Sequence, residues 1–133
     1  MTQREARLVA VLRGGYKAYS RRDFDEACRG FHPDITLIPA GGQLPIRGLE
    51  KVRAWMEPDA FEAEVLEPLD FTIAGDKILV RLGACARGSA SGIELHFREW
   101  AVWTFDADGR ATQLEFYLER EEAEALEAAG LAG

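Results

Sequence analysis

Cysteine is scarce in this chain: Cys28 and Cys85 are its only two, far apart in sequence. A pair this sparse excludes a disulfide-stapled scaffold. Both read as small hydrophobes in apolar surroundings, and a reducing cytoplasm is the expected location. Histidine is equally rare. His32 and His96 lack cysteine or carboxylate neighbours at ligand spacing, so no metal is expected. No long uncharged apolar run exists. Arg13 and Lys17 interrupt the opening MTQREARLVAVLRGGYK, which reads as neither signal peptide nor membrane span. Positive charge is in the minority, with 16 Lys and Arg against 23 Asp and Glu for a net charge of −7. That balance repels nucleic-acid backbones and anionic membranes, so neither is an expected partner. There is no Gly-rich phosphate loop, Walker motif or Gly-x-Ser-x-Gly elbow, and no cofactor is expected. Repeats, linkers and low-complexity tracts are absent as well. What remains is one domain of 133 residues, large enough to bury a core without staples.

The most informative stretch runs from Ile93 to Glu119. It reads IELHFREWAVWTF, then DADG, then RATQLEFYLE, two alternating runs joined by a tight polar turn. Period-two alternation puts Leu95, Phe97, Glu99, Ala101, Trp103 and Phe105 on one face. A carboxylic acid thus interrupts an apolar, aromatic row. Pairing of Phe105 with Arg110 would set Glu99 opposite Phe116. The other face carries His96, Arg98, Trp100 and Val102, with Glu115 and Tyr117 from the second run. A tryptophan left in water is unfavourable, so this outer face suggests a dimer contact.

The rest of the chain supplies helices first and strands last. Leu8, Leu12, Gly15 or Tyr16, and Tyr19 recur at three- and four-residue spacing, predicting a helix from Thr2 to about Arg21. Asp23 reads as the N-cap of a second helix, Phe24 to Phe31, with Glu26 three residues on. His32 before Pro33 would stop that helix, as a cap in one reading and a catalytic imidazole in another. A strand over Ile35–Pro39 and a helix over Leu49–Glu57, ended by Pro58, follow. Glu62–Ala74 reads as a strand with an edge or bulge at Pro68. Lys77–Arg87 is the next strand, turned at Gly88–Gly92. An acidic helix begins at Arg120, with Gly130 just beyond its end. This order predicts an α+β fold: a curved mixed sheet, cone-shaped, wrapped around three N-terminal helices, with a short C-terminal helix. The mouth of such a cone is a usual small-molecule site.

Three segments carry a resemblance: YKAYSRRDFDEACRGFHPDITLIP, IRGLEKVRAW and WTFDADGRATQLEFYLEREEAEALEAAGL. Together they resemble the nuclear transport factor 2-like superfamily, in its SnoaL-like, ketosteroid-isomerase-like branch, over nearly the whole chain. The resemblance implies the same cone, usually as a homodimer through the outer sheet face (here Arg98, Trp100, Val102, Glu115 and Tyr117). It also implies a range of activities: steroid isomerases, polyketide cyclases, epoxide hydrolases, and non-catalytic binding or association modules. The isomerases' tyrosine aligns with Gly15, their base with Ile38-Pro39 and their second acid with Ala101, so none of those groups is present. An epoxide hydrolase's aspartate–arginine–aspartate set is not apparent either. The cyclases' pocket aspartate has its nearest substitute in Glu99.

Glu99 and Tyr19 are therefore the candidate catalytic residues, Glu99 as acid or base and the tyrosine as hydrogen-bond donor. An alternative places Glu99 in an ion pair with Arg81 or Arg53, and another leaves the tyrosines as core residues. Tyr16, Tyr19, Phe31, Leu37, Trp55, Phe71, Phe97, Glu99, Ala101, Trp103 and Phe116 would line the hollow or fill it. The function this supports is binding of a small apolar ligand, with cofactor-free isomerisation, cyclisation or hydration as the enzymatic form. A carrier, or a dimerisation module with a filled cone, is the alternative.

Overall fold

The computed structural model describes residues 1–57, 61–88 and 91–131. Helix α1 spans Gln3–Ser20. It starts at Thr2, whose side chain accepts the Glu5 N–H while the Glu5 side chain accepts the Thr2 N–H. This reciprocal cap satisfies two otherwise orphaned donors. Leu8, Leu12 and Tyr16 are buried along its inner stripe. Helix α2 is a single turn, Phe24–Ala27, capped by the Asp23 side chain. The predicted continuation to Phe31 does not form. Cys28–Gly30 turn the chain, and strand β1 begins at Phe31 and runs to Ile38. Pro33, having no N–H to donate, is accommodated at an irregularity where β1 slips register between Phe31 and Thr36. His32 consequently lies in a strand rather than capping a helix, and its Nδ1 accepts the Asp34 N–H at 2.9 Å.

A two-residue strand that the sequence did not announce, β2 (Ile46–Arg47), pairs antiparallel with β1. Helix α3 spans Leu49–Trp55. Four long strands follow: β3 (Phe61–Ala74), β4 (Lys77–Gly88), β5 (Glu94–Phe105) and β6 (Ala111–Leu118). Helix α4 (Glu122–Ala128) closes the chain after a 3-10 turn at Glu119–Glu121, with Gly130 at φ +76 just beyond it. The predicted helix stop at Pro58, and Ser89 and Ala90 of the predicted turn, lie outside the described residues. No described helix is long and apolar enough to cross a membrane.

The sheet is curved, unclosed and mixed, in the order β2-β1-β6-β5-β4-β3, with β1 and β6 parallel and the other neighbours antiparallel. Its concave face packs on α1 and carries side chains in transverse rows. Ile73, Ile78, Trp103, Leu114 and Leu37 form one row, and Phe71, Val80, Ala101 and Phe116 the next. Further along, Pro68, Leu82, Glu99 and Leu118 align. The first two rows make the core floor. The third begins where β6 ends, and there the sheet narrows.

The β5–β6 hairpin departs from the expected pairing. Phe105 faces Ala111 and Thr104 faces Gln113, so Thr112 is bulged out and Glu99 lies opposite Leu118, not Phe116. The Asp106 carboxylate shapes this turn by accepting the N–H groups of Asp108 and Arg110. A slip of two residues preserves facing, so Glu99 still points inward.

The outer face also differs from expectation. Val102 is fully buried, packed with Leu79 under Ala125 of α4 and Ala129 just after it. Of the residues expected at a dimer contact, Val102 is therefore covered by the chain's own C-terminal helix. Cys28 is buried as expected, whereas Cys85 is only half-buried; both are free thiols.

The rows predict a sharp contrast within one strand pair. Leu82 is fully buried, and Leu95, nominally on the same concave face, is 50% exposed. Leu82→Ala should cost about 2–5 kcal/mol, and Leu95→Ala no more than about 0.5. Urea denaturation of the two variants measures both.

Candidate functional site

A cavity of about 700 Å³ opens between α1 and the concave face. Its wall is mostly apolar: Leu12, Phe31, Leu37, Met56, Leu66, Phe97, Trp103, Phe105, Leu114, Phe116 and Leu118 contribute. Trp55, directed outward from α3, stacks on Phe116 with ring centres 6.0 Å apart and roofs one side. Arg7, Arg29 and Gln43, all exposed, stand where the cavity meets solvent. Five polar side chains join the apolar wall: Tyr16, Tyr19, Glu64, Glu99 and Glu26, the last paired with Arg29 at 2.6 Å. Of the residues expected at a ligand, Tyr16, Tyr19, Phe31, Leu37, Trp55, Phe97, Glu99, Trp103 and Phe116 share this space. Two do not. Ala101 is fully buried in the floor. Phe71 packs against the core while the Arg13 guanidinium covers its ring at 4.7 Å.

Trp103 anchors the interior. Its ring meets Tyr16 edge-on at 6.1 Å, and its indole N–H donates to the Tyr16 hydroxyl at 2.8 Å. That bond leaves the Tyr16 proton without an acceptor among the described residues. Burial pushes the Tyr16 pKa upward, so it remains a neutral donor. Tyr19, three residues on, is differently engaged. Its hydroxyl donates to Glu64 Oε1 at 2.5 Å.

Glu64 was absent from the candidates read off the sequence. Its facing depends on the irregularity at Pro68. Pairing shifts between Pro68 and Asp70, so Leu66 and Glu64 face inward before the bulge, and Phe71 and Ile73 after it. Unbroken alternation back from Phe71 would have turned Val65 inward and Glu64 outward. Pro68 was the available signal, because a bulge reverses which parity faces the core.

Glu99 lies between Leu82 of β4 and Leu118 of β6. The arginines proposed as its partners are engaged elsewhere. Arg53 binds Asp25 and Glu57, and Arg81 reaches Glu119 from beside the Trp100 ring. Desolvation, reinforced by the charge of Glu64, pushes the Glu99 carboxyl from 4.5 up to about 7. Among the described residues no three His, Cys, Asp or Glu side chains gather as a metal site would need.

The displaced acid has a measurable stability signature. Below pH 4.5 Glu99 is protonated whether the chain is folded or unfolded, and contributes no pH dependence. Between 4.5 and 7 the unfolded chain releases the proton first, so stability falls as pH rises; above 7 the loss is complete. At roughly 1.4 kcal/mol per pH unit, ionisation costs up to about 3 kcal/mol. Glu99→Gln should therefore match the parent near pH 4 and exceed its unfolding free energy by about 1–3 kcal/mol at pH 8. Denaturant midpoints at the two pH values test this.

The family model described as a SnoaL-like domain matches residues 12–114. Searched against functionally curated proteins, the chain has no match. Among solved structures it is similar to an NTF2-like protein of unknown function from Burkholderia pseudomallei K96243, at 22% identity and a TM-score of 0.75, covering 92% of this chain and 96% of that one. TerC co-crystallised with polyporic acid is similar at 20% identity and a TM-score of 0.73, with the same coverage of 92% and 96%. RV0760c from Mycobacterium tuberculosis, in complex with estradiol-17beta-hemisuccinate, is similar at 15% identity and a TM-score of 0.72, covering 84% and 92%. At these identities the likeness speaks for the fold.

Proposed function

We propose that this chain, which belongs to the SnoaL-like domain family, binds a mostly apolar small molecule in its cavity and exchanges a proton with it through Glu99. The observation that carries this reading is the acid itself: a carboxyl with no ion-pair partner among the described residues, on the wall of an apolar cavity, poised near neutrality. Two of the similar structures support the ligand class, since one was crystallised with polyporic acid and the other holds a steroid hemisuccinate.

The chemistry this supports is cofactor-free isomerisation, cyclisation or hydration. Glu99 acts as acid or base, and a tyrosine hydroxyl meets negative charge developing on a substrate oxygen. Tyr16 suits that second role better than Tyr19, whose O–H is already engaged as a donor to Glu64. A carrier without turnover is the competing reading. It is favoured by the absence of ionisable groups at Gly15, Ile38-Pro39 and Ala101, where the isomerases keep theirs.

Native mass spectrometry of freshly purified protein should reveal a retained small molecule, and a neutral steroid ketone should quench Trp103 fluorescence saturably. Failure of both refutes the reading. Trp55→Ala should weaken the ketone about tenfold, near 1.4 kcal/mol. With the retained molecule as substrate, Glu99→Gln should cut turnover roughly 10²–10⁴-fold with binding kept; lost binding alone would identify a carrier.

The proposal includes a homodimer in the cytoplasm, formed through what α4 leaves open of the outer face: Arg98, Trp100, Glu115 and Tyr117. Light scattering should return twice the chain mass, and Trp100→Glu a single chain.

A further inference from the structure

We infer that Glu64 is a positioning residue of this cavity: it accepts the hydrogen bond of the Tyr19 hydroxyl, and its negative charge opposes ionisation of Glu99, so the ligand's polar end is an uncharged hydrogen-bond acceptor. The inference rests on the proposed role of Glu99 and assigns the direction in which that acid works.

The geometry begins on β3, where the Pro68 bulge turns Glu64 into the same cavity as Glu99. The two acids have unequal surroundings. Glu64 accepts the Tyr19 O–H at 2.5 Å, the kind of donor a negative charge requires. Glu99 has leucines on both neighbouring strands, Leu82 and Leu118. Other groups acting on the pair come from α1 and the turn after it. Tyr16 and Tyr19 interact with Glu99, and Arg22 acts on Tyr19. Two carboxyl groups in one poorly solvated space do not both ionise cheaply, and the one without a donor is the harder to ionise. The upward displacement of Glu99, with Glu64 as its second cause, agrees with this order. The Tyr19 hydroxyl is likewise held protonated by burial and by its bond to Glu64.

The consequence for the ligand follows from donors and acceptors. A neutral carboxylic acid offers one O–H. The Tyr16 hydroxyl offers another, because its lone pair, not its proton, is used by Trp103. Two such donors on the wall of one cavity call for an acceptor oxygen. A carboxylate at that end would meet the charge of Glu64 instead.

Side-chain carboxyl titration by NMR on ¹³C-glutamate-labelled protein tests the arrangement, with the Glu99 signal assigned by its loss in Glu99→Gln. The parent should show a Glu99 midpoint near 7. In Glu64→Gln and in Glu64→Thr, a second charge-removing variant suited to a strand, that midpoint should fall by at least about one unit. A raised parent midpoint that stays put in both variants overturns the inference alone. A parent midpoint near 4.5 overturns the proposed role of Glu99 and the inference with it. For the ligand class, the aryl ketone prodan should bind at pH 6, where Glu99 is mostly protonated, at least about tenfold tighter than its carboxylate counterpart, 6-dimethylamino-2-naphthoate. Equal, reversed or absent binding of the two overturns that assignment.

Discussion

The hydrogen bond from the Trp103 indole to the Tyr16 hydroxyl is the contact on which the interior depends. An indole N–H inside a core needs an acceptor, and leaving it unpaired would cost about 1–3 kcal/mol. Supplying that acceptor from Tyr16 of α1 ties the helix to Trp103, near the end of β5. Leu8, Leu12, Phe105 and Leu114 pack together beside this contact, and all but Leu8 also line the cavity. The cavity runs past the contact toward Glu99 and Leu118, where β6 ends and the sheet narrows. The same bond decides which tyrosine keeps a proton to give, because it uses the Tyr16 oxygen as acceptor and leaves its O–H.

Electrostatics follow from that geometry. Solvent-exposed carboxylates in this protein have ordinary solutions, such as the Arg53 pairs with Asp25 and Glu57 or the backbone N–H groups that hold Asp106. Burial in the wall denies Glu99 these. No cation from β4 or β6 stands beside it, since its neighbours there are leucines. The nearest anionic influence raises rather than relieves the cost of ionising it. Protonation state here is a property of the cavity, not of the residue, and a ligand that displaces water from the wall would alter it further.

How much of this was legible in sequence depends on whether local pattern or distant packing decides each feature. The concave row of β5 could be read from alternation alone, because a two-residue slip at the hairpin moves a side chain along the sheet without turning it over. The same slip moved the partner of Glu99 from Phe116 to Leu118, which alternation has no means to register. Glu64 failed for a related reason: a single bulge at Pro68 reverses the facing of everything before it. The second helix was overextended because Phe24, Ala27, Cys28 and Phe31 keep helical spacing, yet Phe31 is held by pairing with Ala111 on a strand eighty residues away in sequence. Alternation places Val102 on the outer face, at an expected dimer contact, since nothing in its own strand reveals that α4 folds back over it.

An open cavity and an uncompensated acid each work against stability, and they coincide. Cores normally pack to crystal-like density, and buried carboxyls normally find a cation or a set of donors. Small changes would correct either fault. Glutamine at residue 99 removes the ionisation cost, and bulkier side chains on the wall would reduce the empty volume. A merely structural account needs neither the space nor the acid, because the floor formed by Ile78, Val80, Ala101, Trp103 and Leu114 closes without them. Local rules broken together at one place, with the rest of the molecule obeying them, mark the place where folding is not the only demand on the sequence. Tyr19 and Glu64 strengthen that inference, since a tyrosine hydroxyl and a carboxylate paired at the cavity wall spend buried surface on controlling a proton rather than on filling a core.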